Sequence, residues 1–171
     1  MKKTLLTLAV LCMCHAVFSQ EAEKVKKEPL NEIRLNLATT VFALYPEINY
    51  ERSLTEELGL GIAAAVSLNG KSFDELYNFQ LTPFFRFYFG RKPFKLFFIE
   101  ANAALVNFRN YYYESVYSGR NKTITEFGLG LAIGYKFFNR SNFTGEIYTG
   151  VGRTLGDYFY PRIGISIGKL F

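Results

Sequence analysis

The sequence predicts an all-β chain: an eight-stranded antiparallel up-and-down transmembrane β-barrel preceded by a cleaved signal peptide. Three observations predict it. Apolar and polar residues alternate with a period of two through eight segments, which is how strands with two different faces read. One face of those segments is rich in Phe, Ile and Leu, while the other is built of Gly, Ala and charged residues. Finally, the apolar N-terminal stretch has the plan of an export signal. A chain of 171 residues argues for one domain. Its 18% aromatic content excludes a disordered polymer. Beyond the first twenty residues no apolar run is long enough for a membrane helix.

Residues 1–19 read as the signal peptide. Lys2 and Lys3 form its charged start, Thr4 to Phe18 its apolar core, and Val17-Phe18-Ser19 its cleavage site, with cutting between Ser19 and Gln20. Leu11 and Met13, which precede Cys12 and Cys14, argue against a lipidated cysteine because a small residue belongs there. Cys12, Cys14 and His15 all leave with this segment, so the mature chain has neither thiol nor imidazole. The excess of basic residues left without Lys2 and Lys3 is too mild to argue for nucleic acid. Residues 20–29 (QEAEKVKKEP) have no apolar face and read as a polar periplasmic tether; the barrel occupies residues 30–171.

The strands follow in order. In the first, Ile33, Leu35, Leu37, Thr39 and Val41 oppose Arg34, Asn36, Ala38 and Thr40. In the second, Ile48 and Tyr50 oppose Glu47, Asn49 and Glu51; in the third, Leu58 to Val66 alternates against Gly59, Gly61, Ala63 and Ala65. The fourth sets Tyr77, Phe79, Leu81, Phe85, Phe87 and Phe89 against Asn78, Gln80, Thr82 and Arg86. The fifth sets Phe97, Ile99, Ala101, Ala103 and Leu105 against Phe98, Glu100, Asn102 and Ala104. The sixth is the clearest: Thr125, Phe127, Leu129, Leu131, Ile133, Tyr135 and Phe137 oppose Glu126, Gly128, Gly130, Ala132, Gly134 and Lys136. The seventh opposes Phe143, Ile147 and Val151 to Thr144, Glu146 and Tyr148, and the eighth Ile163, Ile165, Ile167 and Phe171 to Arg162, Gly164, Ser166 and Gly168. From the second link onward short connections alternate with longer ones, as in a barrel with tight turns at one rim and loops at the other.

Alternation alone does not say which face is inside. Eight strands enclose a bore that side chains fill, with no room for stacked rows of Phe on every strand. Small residues suit that bore, and an aromatic exterior is stable only in lipid. The expected arrangement is therefore aromatic outside and small or polar inside, with Tyr50, Tyr77, Phe89, Phe94, Tyr135, Phe137 and Phe159 as interfacial girdles. Arg34, Arg86, Lys136 and Arg162 then share the lumen with Glu47, Glu51, Glu100, Glu126 and Glu146. Buried charges persist when paired, so this near-balanced set predicts a salt-bridged, closed lumen in place of an ion path.

The combination of signal peptide, eight alternating strands, short and long links and a terminal Phe171 resembles small outer-membrane β-barrels of the OmpX type and the OmpA transmembrane domain. The resemblance covers Leu30 to Phe171 by pattern. It implies the outer membrane of a Gram-negative bacterium, periplasmic termini, and contact with outer-membrane lipid and lipopolysaccharide. Pro161 to Phe171 resembles the C-terminal signal read by the barrel-assembly machinery, departing at Lys169, whose ammonium can snorkel to the headgroups. The peptidoglycan-binding function of OmpA proteins is not carried over, since no residues follow Phe171.

Barrels of this size that modify lipid A use a His base beside a Ser nucleophile, and a mature chain without His argues against any such enzyme. No metal or cofactor is expected. Gly59/Gly61, Gly128/Gly130 and Gly150/Gly152 lie within strands and lack the helix a phosphate-binding loop requires. The loop from Phe108 to Lys122 places Tyr111, Tyr112, Tyr113 and Tyr117 among Arg109, Arg120 and Lys122. Tyr beside Arg is favourable contact chemistry for a protein partner, and the cations also suit lipopolysaccharide phosphates; equally, the rings extend the girdle. The expected role is a non-enzymatic barrel in surface contact, envelope integrity or an outer-membrane assembly. The alternative is a secreted lipocalin-like soluble barrel that holds an apolar ligand.

Overall fold

The computed structural model describes residues 31–68, 77–89, 96–109, 123–139, 141–156 and 158–171. Among them the strands are β1 (Asn31–Asn36), β2 (Glu47–Ser53), β3 (Leu58–Val66), β4 (Tyr77–Phe89), β5 (Leu96–Arg109), β6 (Thr123–Phe138), β7 (Phe143–Thr154) and β8 (Phe159–Leu170). A helix, α1 (Leu37–Phe42), separates β1 from β2. Each strand pairs antiparallel with the next, and β8 pairs back onto β1, so the sheet closes into a barrel with all eight strands in sequence order. Closure is completed where the Asn31 and Phe171 backbones exchange N–H···O bonds of 3.1 and 2.8 Å. The described ends of the chain thus meet at the rim that carries the 54–57 and 139–142 turns.

The period of two survives folding almost without exception. Along β6, Leu129, Leu131 and Ile133 are exposed, whereas Ala132 between them is 2% exposed. β8 behaves alike: Ile163, Ile165 and Ile167 are half exposed, while Arg162 and Ser166 are buried. Exposed Phe79, Phe85, Phe87, Phe97, Phe127 and Phe143 extend this apolar wall around the other strands. Phe89 packs 5.4 Å from Phe97 and 5.1 Å from Phe87, forming part of an aromatic girdle near the 90–95 link. The soluble lipocalin-like alternative needs the apolar face inward. It points outward.

The first strand is shorter than its alternation suggested. Ile33 to Val41 does not run on as one strand: the chain leaves the sheet after Asn36 and turns into α1. Asn36 supplies the reason. Its side-chain oxygen accepts from the Thr39 N–H at 3.3 Å and its carbonyl from the Thr40 hydroxyl, which is the geometry of a helix N-cap. Residues 37–41 keep an alternation too brief to outweigh that cap.

Ending β1 at Asn36 leaves the first half of β8 without a strand on one side. Asn36 Nδ2 covers part of that edge by donating to the Ile163 carbonyl at 3.0 Å. Pro161 has the same parity as Ile163, so its ring nitrogen occupies a position on that edge where an N–H would lack a strand partner. A second proline, Pro83, interrupts the β4–β5 ladder, whose register passes from Leu81↔Leu105 to Phe84↔Asn102. The alternation of link lengths also ends early: the β7–β8 turn, 155–158, is as short as those at the opposite rim.

Candidate functional site: an ionic network along the barrel axis

Inward residues of β1, β2, β4, β5, β6, β7 and β8 converge on the axis because every second side chain of a closed sheet points there. β3 contributes only Gly59, Gly61, Ala63 and Ala65, so the long side chains opposite have space to cross the bore. The structure brings together Arg34, Glu47, Glu51, Arg86, Glu100, Lys136, Glu146 and Arg162, all buried. Arg86 sits at the centre. Its Nε reaches Glu100 at 2.8 Å, and its Nη1 reaches Glu146 at 2.8 Å and Glu51 at 3.0 Å.

Lys136 donates to Glu32 at 2.8 Å, to the Tyr88 hydroxyl at 2.7 Å and to Glu51 at 3.1 Å. Arg34 pairs with Glu32 and, at 2.8 Å, with Glu51; its Nε lies 3.2 Å from Glu146 as an ion pair without hydrogen-bond alignment. Arg162 closes the other side, with Nε 2.9 Å from Glu100, Nη1 2.8 Å from Glu47 and Nη2 3.2 Å from Asn49 Oδ1. Every one of these cations touches at least two carboxylates. In a medium that screens charge far less than water, such multiple pairing offsets the cost of desolvation.

Aromatic rings complete the filling. The Arg86 guanidinium lies 4.2 Å from the Phe98 ring centroid and 4.6 Å from that of Phe84, between two π faces. The Tyr148 hydroxyl donates to Glu47 at 2.7 Å and accepts from Asn36 at 3.1 Å. Small residues make room for these rings. A Cβ on Gly164 would overlap Tyr148, and one on Gly152 would overlap Tyr160. The lumen is therefore not only small and polar: Phe84, Tyr88, Phe98, Tyr148 and Tyr160 are all buried within it.

Two sequence-derived assignments need correction. Glu126 faces inward but stands apart from the network, accepting from the Thr154 hydroxyl and, at 3.1 Å, from the Gly156 N–H near the 155–158 turn. Parity sets a residue's face, whereas its height along the axis depends on strand stagger. Glu32 is the missing member; it lies two residues before Arg34 on the same face, ahead of the expected strand start at Ile33. The same parity would have found Phe84 and Tyr88 on either side of Arg86. Of the contact loop, Tyr111, Tyr112, Tyr113, Tyr117, Arg120 and Lys122 lie outside the described residues, and Arg109 is placed only as the last residue of β5.

A closed β-sheet with an apolar outer wall and an ionic axis is a membrane-spanning barrel of the outer-membrane type. Among solved structures, the crystal structure of the N-terminal beta-barrel domain of Pseudomonas aeruginosa OprF is similar to it, with a TM-score of 0.62 and 15% sequence identity. The likeness covers 85% of this chain and 100% of that one, and it is a likeness of fold. No protein-family model and no curated protein matches the sequence.

Proposed function

We propose that this chain is a non-enzymatic integral protein of the outer membrane of a Gram-negative bacterium, with both termini periplasmic. Its barrel serves as a closed anchor that contributes to envelope integrity and presents the Tyr-rich loop to a protein partner or an outer-membrane assembly. Residues 1–19 are its export signal and residues 20–29 its tether, and the barrel-assembly machinery reads its last strand. The observation that carries this reading is the axial network: Arg86, tied to three carboxylates between two rings, occupies the space that a conduit would need. Outer-membrane lipid and lipopolysaccharide are its surroundings and the partners of its apolar wall.

The test combines fractionation with electrophysiology. The expressed protein is expected in the outer-membrane fraction, migrating differently on a gel when unheated, and it should give no porin-size conductance steps in a planar bilayer. Recovery as a monodisperse protein without detergent, or sustained large conductance, would contradict the proposal.

A further inference from the structure

We propose that the outer wall across β7, β8, β1 and β2 binds one anionic glycerophospholipid, its phosphate held between Lys169 and Arg52 and an acyl chain lying over Ile33. The inference rests on the membrane-barrel reading and adds to it a site with a head-group preference. The wall there is hollowed into a groove of about 440 Å³ whose outward lining is Ile33, Leu35, Ile48, Phe143, Ile167 and Lys169. Five of those six are apolar, as an acyl chain requires. The sixth is a cation.

Lys169 pairs in register with Ile33 on one side and Phe143 on the other, and its Nζ lies 5.6 Å from the Phe143 ring centroid. Ile33 pairs on its far side with Tyr50, whose hydroxyl donates to Asn31 Oδ1 at 2.9 Å. Arg52 pairs with Asn31, one outward step nearer the rim than Tyr50. Lys169, Asn31, Tyr50 and Arg52 therefore border one apolar residue on the outer face, at the rim that carries the short turns. The polar groups stand at the depth of a head group, and the groove extends from them toward the hydrocarbon.

The charge here is arranged unlike that in the lumen. Each axial cation has carboxylates within 3.1 Å. Beside Lys169 and Arg52, the outward residues of the adjoining strands are Phe143, Ile33, Asn31 and Leu60, none of them acidic. The Phe171 backbone exchanges two N–H···O bonds with Asn31, and its oxygen also accepts from Asn31 Nδ2 at 3.5 Å. Cations facing lipid at an interface are complemented by anionic head groups, and two of them on either side of β1 suit a phosphate better than a zwitterion's self-neutralised head.

The test is native mass spectrometry of the chain refolded in detergent and offered equal phosphatidylglycerol and phosphatidylcholine. The wild type should retain one phosphatidylglycerol with a preference of about thirtyfold, the gain expected of two basic residues at a membrane surface. K169Q/R52Q should bring the two lipids to equal retention while its unheated gel mobility stays unchanged. R153Q alters an outward arginine on β7 near the opposite rim, 5.8 Å over Phe159, and should leave the preference intact. If the double variant does not fold, K169Q alone decides, and its preference must fall by about fivefold. Equal retention by the wild type, or an equal loss in R153Q, overturns the site. Failure of the wild type to show a heat-modifiable band would instead overturn the barrel reading beneath it.

Discussion

Replacing Arg86 by methionine is expected to lower the barrel's unfolding free energy by about 3–5 kcal/mol. The substitution keeps much of the side-chain volume between Phe84 and Phe98 but deprives Glu51, Glu100 and Glu146 of one cationic partner each, at 2.8–3.0 Å. Arg34, Lys136 and Arg162 still reach these carboxylates, so the loss reflects incomplete compensation and not an isolated charge. Removing a carboxylate with it should recover part of the loss, and Arg86→Met with Glu146→Met is expected to be more stable than the single variant, since a matched apolar pair leaves less unpaired charge. Equilibrium unfolding in urea, followed by circular dichroism in lipid vesicles, measures both. A single variant within about 1 kcal/mol of wild type would mean that water and counter-ions already solvate the network, and the lumen would not be closed.

Leu131→Arg is the second large effect, expected to cost about 2–4 kcal/mol. Leu131 is 64% exposed at the middle of β6, between Ala101 on β5 and Val151 on β7. In an aqueous barrel an arginine at so exposed a position would change stability by about 0.5 kcal/mol or less. In a bilayer it places a guanidinium at hydrocarbon depth. Phe137→Arg, on the same face but near the end of the strand, is expected to cost only about 0–1 kcal/mol. The gradient between these two sites distinguishes a lipid-facing wall from one that is merely apolar. Equal, small costs at both would contradict the membrane assignment.

Much of this architecture is legible in the amino-acid sequence because a strand's two faces repeat every second residue. Phe127 to Phe137 and Ile163 to Ile167 carry the distinction without help from tertiary structure, and the Gly and Ala of β3 mark the inner face by size. What stayed hidden depends on information that alternation does not contain. The run Pro83 to Phe89 is aromatic on both parities, so Phe84 and Tyr88 do not declare themselves as lumen residues until Arg86 is placed between them. Asn36 reads equally as an inward strand residue or as a helix cap, and it serves as both. Glu126 and Glu146 look equivalent along their strands, yet only Glu146 reaches Arg86; axial height follows from the stagger between strands, a collective property of the closed sheet.

Which way β6 turns its two faces separates a lipid-facing wall from a solvated one, and nitroxide scanning of that strand measures this most directly. Since Cys12 and Cys14 lie in the segment read as the signal peptide, single cysteines placed from Gly128 to Lys136 in the mature chain would each be labelled uniquely. In lipid vesicles, collision rates with dissolved oxygen should rise at 129, 131, 133 and 135 and fall at 128, 130, 132, 134 and 136. A flat profile, or maxima at the even positions, would contradict the lipid-facing wall.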